Sequence, residues 1–356
     1  MKRKAKAMGL KRRKKFKVLT KAASIKVVIL FVFIAVVLIG SWFTVVRMPG
    51  KSFAGDLPKL TQAEQVLRDE LRQDVDRIAG SEIGDRNYMF YENLVAVANY
   101  LESSFAESGY EVARQSYEIH GQVFDNLEVE ITGNKKPDEI VVIGAHYDSV
   151  VGAPGANDNG SGAAAVLALA RRFAGKETAR SLRFVEFVNE EPPFFWSEEM
   201  GSLVYAKRCR DRGENIVAML SLETIGYYSD APGSQEYPLG LLNLVYPITG
   251  NFIAFIGNLA SGNLVQQVVG SFRSHTQFPS EGAAMPSNVP GAGWSDRWPF
   301  WQMGYPALMV TDTAPFRYPH YHTIADTPDK IDFDRLARVV GGIERVVQEL
   351  ANGKIG

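Results

Sequence analysis

The residues able to do chemistry cluster at the ends of apolar runs. His146 and Asp148 follow Ile140-Val141-Val142-Ile143, and Asp158 stands in the loop Gly155-Ala156-Asn157-Asp158-Asn159-Gly160-Ser161-Gly162 just beyond. Glu190 and Glu191 follow the run from Leu182 to Val188, Glu223 follows Ile216 to Leu222, and His320 and His322 come after Ala307 to Thr311. Any one of them could be a solvated loop residue. Their coincidence at one edge of a sheet carries the argument, because carboxylates in apolar surroundings are costly unless they meet a cation. Imidazole and carboxylate donors without thiolate favour zinc, or a related divalent ion such as manganese or cobalt, and the donor count suits two ions. The glycine-rich loop matches neither the G-x-x-x-x-G-K-[ST] nor the G-x-G-x-x-G phosphate pattern, so it reads as a metal loop.

Strands must bring these residues together. The β-branched run before His146 reads as a buried strand, and Ala163 to Ala170 reads as the helix after it. In an open α/β sheet, ligands bind just outside the carboxyl ends of the strands. Alternation of the later runs with helices predicts a mixed, mostly parallel central sheet with helices on both faces. Upstream, Thr61-Gln62-Ala63-Glu64 is a capping box opening a helix to about Ile78, and a second helix runs from about Tyr91 to Ser108. Glu111 to Ile119 and Val123 to Ile131 predict a hairpin with His120 exposed in its turn. Gly226 to Ser295, rich in Gly, Pro, Ser and Asn, predicts active-site loops around one helix near Leu259 to Phe272, where His275 is structural or exposed.

Composition bounds the class. The chain has 356 residues, 46% hydrophobic, enough for a sizeable core. Twelve Lys and Arg residues and no acid lie in residues 1–26, so the formal net charge of −1 leaves −13 for the remainder. Residues 27–46 hold no charge and are long enough to cross a hydrocarbon layer of roughly 30 Å. The expectation is a basic cytosolic tail (1–26), an uncleaved transmembrane signal anchor (27–46), a linker (47–60) and a catalytic domain (61–352) outside the cytosol, in the periplasm, the cell exterior or an organelle lumen. The tail then reads as a topology signal rather than a nucleic-acid site. The lone Cys209 excludes an intrachain disulfide.

The order H-x-D, A-N-D-N-x-S-G, E-E followed by G-S, an acid before I-G, S-D, and H-T-x-x-D-T-P-D resembles the di-zinc aminopeptidases of the twenty-eighth metallopeptidase family. That family also includes glutaminyl cyclases and the transferrin-receptor ectodomain. The resemblance runs from about Thr61 to Asn352. Together with the expected anchor it implies a membrane-anchored exopeptidase; the resemblance itself implies an aminopeptidase acting on peptides, with two zinc ions: His146 and Glu223 on the first, Glu191 and His322 on the second, and Asp158 bridging both. It further implies Glu190 as general base, Asp148 supporting His146, and Asp296 near the site, with His320 a packing or substrate contact. Two departures stand out. Glu223 occupies a position where the family commonly has aspartate, and Pro192-Pro193-Phe194-Phe195-Trp196 follows the acidic pair. Phe194, Phe195 and Trp196, faced by Phe316 and Tyr318, would wall or cover an apolar side chain of the substrate. Glutaminyl cyclase activity and a non-catalytic ectodomain are the alternatives.

Overall fold

The computed structural model describes residues 21–356, apart from the side chains of Lys21, Leu38, Ile39, Ser41, Phe43 and Thr44. Most of the basic tail lies outside the described residues. The chain divides into two compact units, Met1–Phe43 and Thr44–Gly356.

In the first unit, α1 (Lys21–Ser41) is apolar on every side beyond Lys26, with Ile29, Phe31 and Phe33 exposed. Its described side chains run without a break only over residues 22–37. Among the described residues no helix is long and apolar enough to cross a membrane.

The second unit is built on one eight-stranded sheet. Its strands are β1 (Ala113–Ile119), β2 (Gln122–Ile131), β3 (Lys136–His146), β4 (Arg180–Phe187), β5 (Asn215–Glu223), β6 (Ile253–Asn258), β7 (Ser280–Met285) and β8 (Ala307–Thr311). Their order is β1-β2-β4-β3-β5-β8-β6-β7. The pairs β4–β3, β3–β5, β5–β8 and β6–β7 are parallel, and β1–β2, β2–β4 and β8–β6 are antiparallel. The expected hairpin is β1–β2, with His120 exposed in its turn.

The helices are α2 (Gln62–Ala79), α3 (Tyr91–Glu107), α4 (Ser161–Phe173), α5 (Gly201–Asp211), α6 (Gly262–His275), α7 (Arg297–Gln302) and α8 (Phe333–Ala351). The capping box of α2 is complete, with the Glu64 amide 3.2 Å from Thr61 Oγ1 and the Thr61 amide 2.7 Å from Glu64 Oε2. Alternate strand residues point to opposite faces, so each sheet face has its own core. Val141, Ile143, Leu220 and Val310 meet α2, α3, α4, α6 and α8, whereas Val142, Val185, Met219 and Ala307 meet Tyr205 and Cys209 of α5 and Phe300 of α7.

Two expectations are corrected here. The segment from Gly226 to Ser295 is not loops around a single helix: β6 and β7 extend the sheet through it. Both strands carry Ala or Gly at several positions (Ile253–Asn258 reads IAFIGN, Ser280–Met285 reads SEGAAM), which hides the usual β-branched signal. Residues 47–60 are no free linker either. Met48 is buried, Ser52 Oγ accepts the Ser280 amide at 2.9 Å, and the Pro49 carbonyl accepts Arg273 Nη1 at 3.2 Å.

Candidate metal centre

The parallel strands β3 and β5 end at His146 and Glu223, and the chain leaving β4 carries Glu190 and Glu191 to the same edge. Asp158 arrives on the loop between β3 and α4, and His322 on the loop after β8. Two groups of donor atoms result. His146 Nε2 lies 3.5 Å from Asp158 Oδ1 and 3.4 Å from Glu223 Oε2. His322 Nε2 lies 3.0 Å from Asp158 Oδ2 and 3.3 Å from Glu191 Oε1. Within each group the atoms lie within 4.8 Å of one another, so each could surround a single cation, and Asp158 offers one oxygen to each.

The buried atoms His146 Nε2 and Glu191 Oε1 have no hydrogen-bond partner. Buried polar atoms are seldom left so, and a cation satisfies both at once. Nitrogen and oxygen donors without sulfur suit zinc.

Glu190 belongs to neither group, with Oε2 3.8 Å from His146 Nε2. Asp148 organises the surroundings. Its carboxylate accepts the amides of Glu190 and Glu191, both at 3.1 Å, and stands 3.4 Å from His146 Nδ1, whose nearest contact is the Asp148 carbonyl at 3.2 Å. An Nδ1–H held this way leaves Nε2 free to bind metal.

Crowded acids in a dry site shape the charges. Burial pulls the His146 imidazole down, but Glu223 and Glu190, with Asp148 and Asp158, override it and hold it well above the usual histidine value. Burial likewise opposes protonation of His322, and the neighbouring Asp158 and Glu191 carboxylates push it up to about 10. Glu191 rises to about 7 through burial and Asp158, against His322. Glu190 is raised well above the carboxylate range by burial, with Glu191 and Glu223 adding to it against His146. Cations in the two groups would reverse the logic for the carboxylates, replacing repulsion by attraction.

The loop bearing Asp158 is held from beneath by Asp326 and Arg86. Asp326 accepts the Asn157 amide at 2.8 Å and the Asp158 amide at 3.0 Å, and its Oδ1 takes the Tyr318 hydroxyl at 2.8 Å. Arg86, wholly buried, donates Nε to the Tyr147 carbonyl at 2.6 Å and Nη2 to the Gly155 carbonyl at 2.8 Å, with Nη1 on Pro154. Gly155 has φ 62°, and a Cβ there would lie 2.2 Å from the Asp158 carbonyl. A Cβ on Gly162 would lie 2.3 Å from Asn159 Oδ1 and 2.4 Å from the Leu222 carbonyl, so α4 approaches β5 as closely as only glycine permits. Asp326 stood in a recognisable motif; Arg86 lies in a stretch with no periodic or motif signal.

A cavity of about 390 Å³ opens beside the two groups and includes Asp158, Glu190, Glu191, Glu223 and His322 in its wall. The strands β6 and β7 supply its floor, and the loops before β6 and after β7 cover it with Tyr237, Tyr246 and Trp294. Buried Arg297 ties the second of these loops to the fold, donating to the Gly291 carbonyl at 3.1 Å and to those of Ala292 and Trp294.

The structure separates the expected substrate contacts. Phe195 and Phe316 line the cavity, as does Tyr321, which stacks on His322 with ring centroids 3.8 Å apart. Phe194, Trp196, Asp296 and Tyr318 are absent from the cavity wall. Phe194 is buried against Tyr88 and Phe124, because the turn after Glu191 directs it into the main core. Trp196 is 49% exposed, stacks on Phe195 and bonds the Gly293 carbonyl at 3.3 Å. Asp296 is fully buried behind Ser295, which itself donates to Glu223 Oε2 at 2.5 Å. Tyr318 is spent on Asp326. His320 packs edge-on against Tyr318, and His275 pairs with Glu349 at 3.1 Å.

With this geometry in view, comparison with known proteins is decisive. A family model described as peptidase family M28 matches residues 126–347. The chain belongs to peptidase family M28. The uncharacterized protein YfbL of Escherichia coli K12 is 37% identical over 260 residues, 71% of this chain and 79% of that one. Leucine aminopeptidase 1 of Arthroderma otae is 27% identical over 227 residues, 60% of this chain and 55% of its own. Among solved structures, the LapA aminopeptidase of Legionella pneumophila superposes with a TM-score of 0.63 at 18% identity, covering 84% of this chain and 78% of its own. Fimbriiglobus ruber glutaminyl cyclase gives 0.59 at 20%, covering 85% and 99%. These two likenesses concern the fold. Membership of M28 makes the chain a zinc metallopeptidase.

Proposed function

We propose that this M28 member is a membrane-anchored aminopeptidase holding two zinc ions. The observation that carries the reading is the pair of donor groups sharing Asp158, one oxygen to each, beside a cavity large enough for an amino-acid side chain. His146 and Glu223 would hold one ion, Glu191 and His322 the other, and Asp158 both. Bound there, the ions would supply an acidified water and a polarised carbonyl. Glu190, outside both groups, takes the water's proton on its carboxylate and delivers it to the leaving amine. Asp148 fixes that geometry by holding the Glu190 and Glu191 amides and the His146 ring. Ser295 donates to the Glu223 carboxylate and holds the longer side chain in place, so the departure from aspartate leaves the group intact. The likeness to leucine aminopeptidase 1 supports removal of N-terminal residues. The surface of α1, apolar on every side beyond Lys26 and following the twelve basic residues of 1–26, supports an anchor with the catalytic unit outside the cytosol.

Metal analysis of the purified full-length protein, with assays on aminoacyl, blocked-peptide and N-terminal glutaminyl substrates, tests this reading. Two equivalents of zinc and release of free N-terminal amino acids are expected. One equivalent with cyclisation of glutaminyl peptides would replace it by the cyclase reading, and no metal with no turnover by a binding module.

A further inference from the structure

The cavity floor has an order that the catalytic reading does not use. Glu223 on β5 pairs with Thr311 on β8, Thr311 with Ala254 on β6, and Ala254 with Glu281 on β7. Residues paired across neighbouring strands project from the same face, and all four line the cavity. The row therefore starts at a metal-binding carboxylate and ends, three strands away, at a second carboxylate. At the usual strand spacing that distance is about 14 Å between backbones. Between the two acids the floor is small and uncharged, Thr311 and Ala254, with Ile256 and Ala283 in the adjacent row.

Glu281 is the one charged side chain among the described lining residues outside the metal centre. Its bonding is incomplete. Arg273 Nη2 forms an ion pair with it at 3.7 Å but no hydrogen bond, its donors being engaged with the Ser280 carbonyl at 2.6 Å, Ser280 Oγ at 3.1 Å and the Pro49 carbonyl at 3.2 Å. A carboxylate can accept about four bonds. Arg273 balances the charge of Glu281 through that ion pair, and the unfilled acceptor capacity of Glu281 lies at the end of an apolar trough.

We propose that Glu281 selects substrates whose N-terminal residue is lysine or arginine. The inference rests on the aminopeptidase reading above. With the scissile carbonyl beside Glu223, the side chain runs along the floor, its methylenes over Thr311, Ala254 and Ile256. An extended lysine side chain reaches about 6 Å from its Cα. Together with the Cα-to-carbonyl step and the Glu281 side chain reaching back, this spans the row. The α-amino group stays near the metal centre, too far away to be the partner of Glu281. Apolar stem and cationic head thus each meet their match, and lysine gains over norleucine, its analogue without the amine, through Glu281 alone.

The test compares lysyl and norleucyl reporters on the full-length protein and its Glu281→Gln variant, with thermal unfolding as the check on folding. The expected lysyl-to-norleucyl ratio of kcat/KM exceeds ten in the natural protein and falls at least tenfold in the variant, the loss residing in the lysyl KM. Glu281→Asp should restore part of it. Calorimetric binding of free lysine and free norleucine to the zinc-loaded protein should show the same preference and the same loss. A ratio near one in the natural protein, or a lysyl preference that survives Glu281→Gln, overturns the assignment. If no aminoacyl reporter is turned over, the aminopeptidase reading fails, and the two binding measurements still decide the role of Glu281.

Discussion

Glu190 and Asp312 show how differently two buried carboxylates can serve one site. Glu190 faces the first donor group without joining it, so Glu190→Gln should retain the zinc content and lower kcat by about 10²- to 10⁴-fold. Loss of metal in that variant would make Glu190 a ligand instead. Asp312 belongs to neither group of metal-donor atoms. Its Oδ2 accepts Asn157 Nδ2 at 2.9 Å and the Tyr227 amide at 2.8 Å, while Oδ1 is buried without a partner. Burial, opposed by Arg317 and by these bonds, pushes Asp312 up to about 7. A carboxyl raised above its unfolded value stabilises the fold fully below the unfolded value and loses that contribution as pH rises through the folded one. Between about pH 4 and 7 the natural protein should therefore lose stability from this group, by up to about 4 kcal/mol. Asp312→Asn keeps an oxygen for both donors and should flatten that part of the curve, as chemical denaturation at a series of pH values would reveal. Equal pH slopes in the two proteins would refute it.

The loop from Tyr147 to Asp158 depends on an element that contributes nothing to the chemistry. Arg86 spends its guanidinium on three backbone carbonyls of that loop and is wholly buried beneath it. Its charge also lies among Asp148, Asp326, Asp158 and Glu191, although burial outweighs them and lowers it to about 10. Arg86→Met strands the carbonyls, each worth about 1–3 kcal/mol when buried and unsatisfied. The expected outcome is a large fall in melting temperature together with faster loss of zinc to a chelator. Arg86→Lys should recover only part, since an ammonium cannot reproduce a planar fork. Zinc retention unchanged in Arg86→Met would confine the residue to folding. At the same scale the sequence was readable where periodicity was strong: α2 carries its capping box and β3 its β-branched run. It was opaque in β6 and β7, where Ala254 and Ala283 line the cavity and Gly257 and Gly282 admit the side chains of Val265 and Met48. The stripe of Leu336, Val340, Ile343 and Val347 in α8 was present in the sequence, and packing against α2 and α4 gives it its place.

For the whole molecule, Thr44–Gly356 forms a unit of its own, with residues 47–60 packed onto it. Removal of residues 1–43 should therefore yield a soluble protein with kcat/KM within about twofold of the full chain, the full chain sedimenting with membranes and resisting alkaline extraction. A full chain that stays soluble would remove the anchor from the proposal. Truncation should be made no later than residue 43, because Met48 packs against Gly282 on the strand that carries Glu281.

The sequence by itself determined the donor chemistry, the M28 membership and most of the sheet, because metal ligands must be particular residue types in a particular order and buried strands must be apolar. Tertiary structure alone decided what surrounds them. Phe194 and Phe195 are neighbours in sequence, yet one enters the core and the other the cavity wall, since a turn sends successive side chains in different directions. Glu281 lies 58 residues from Glu223 with no motif to link them, and the register of four strands sets both on one row. Spacing along the chain cannot encode such a row, because it depends on which strands pair and in what phase.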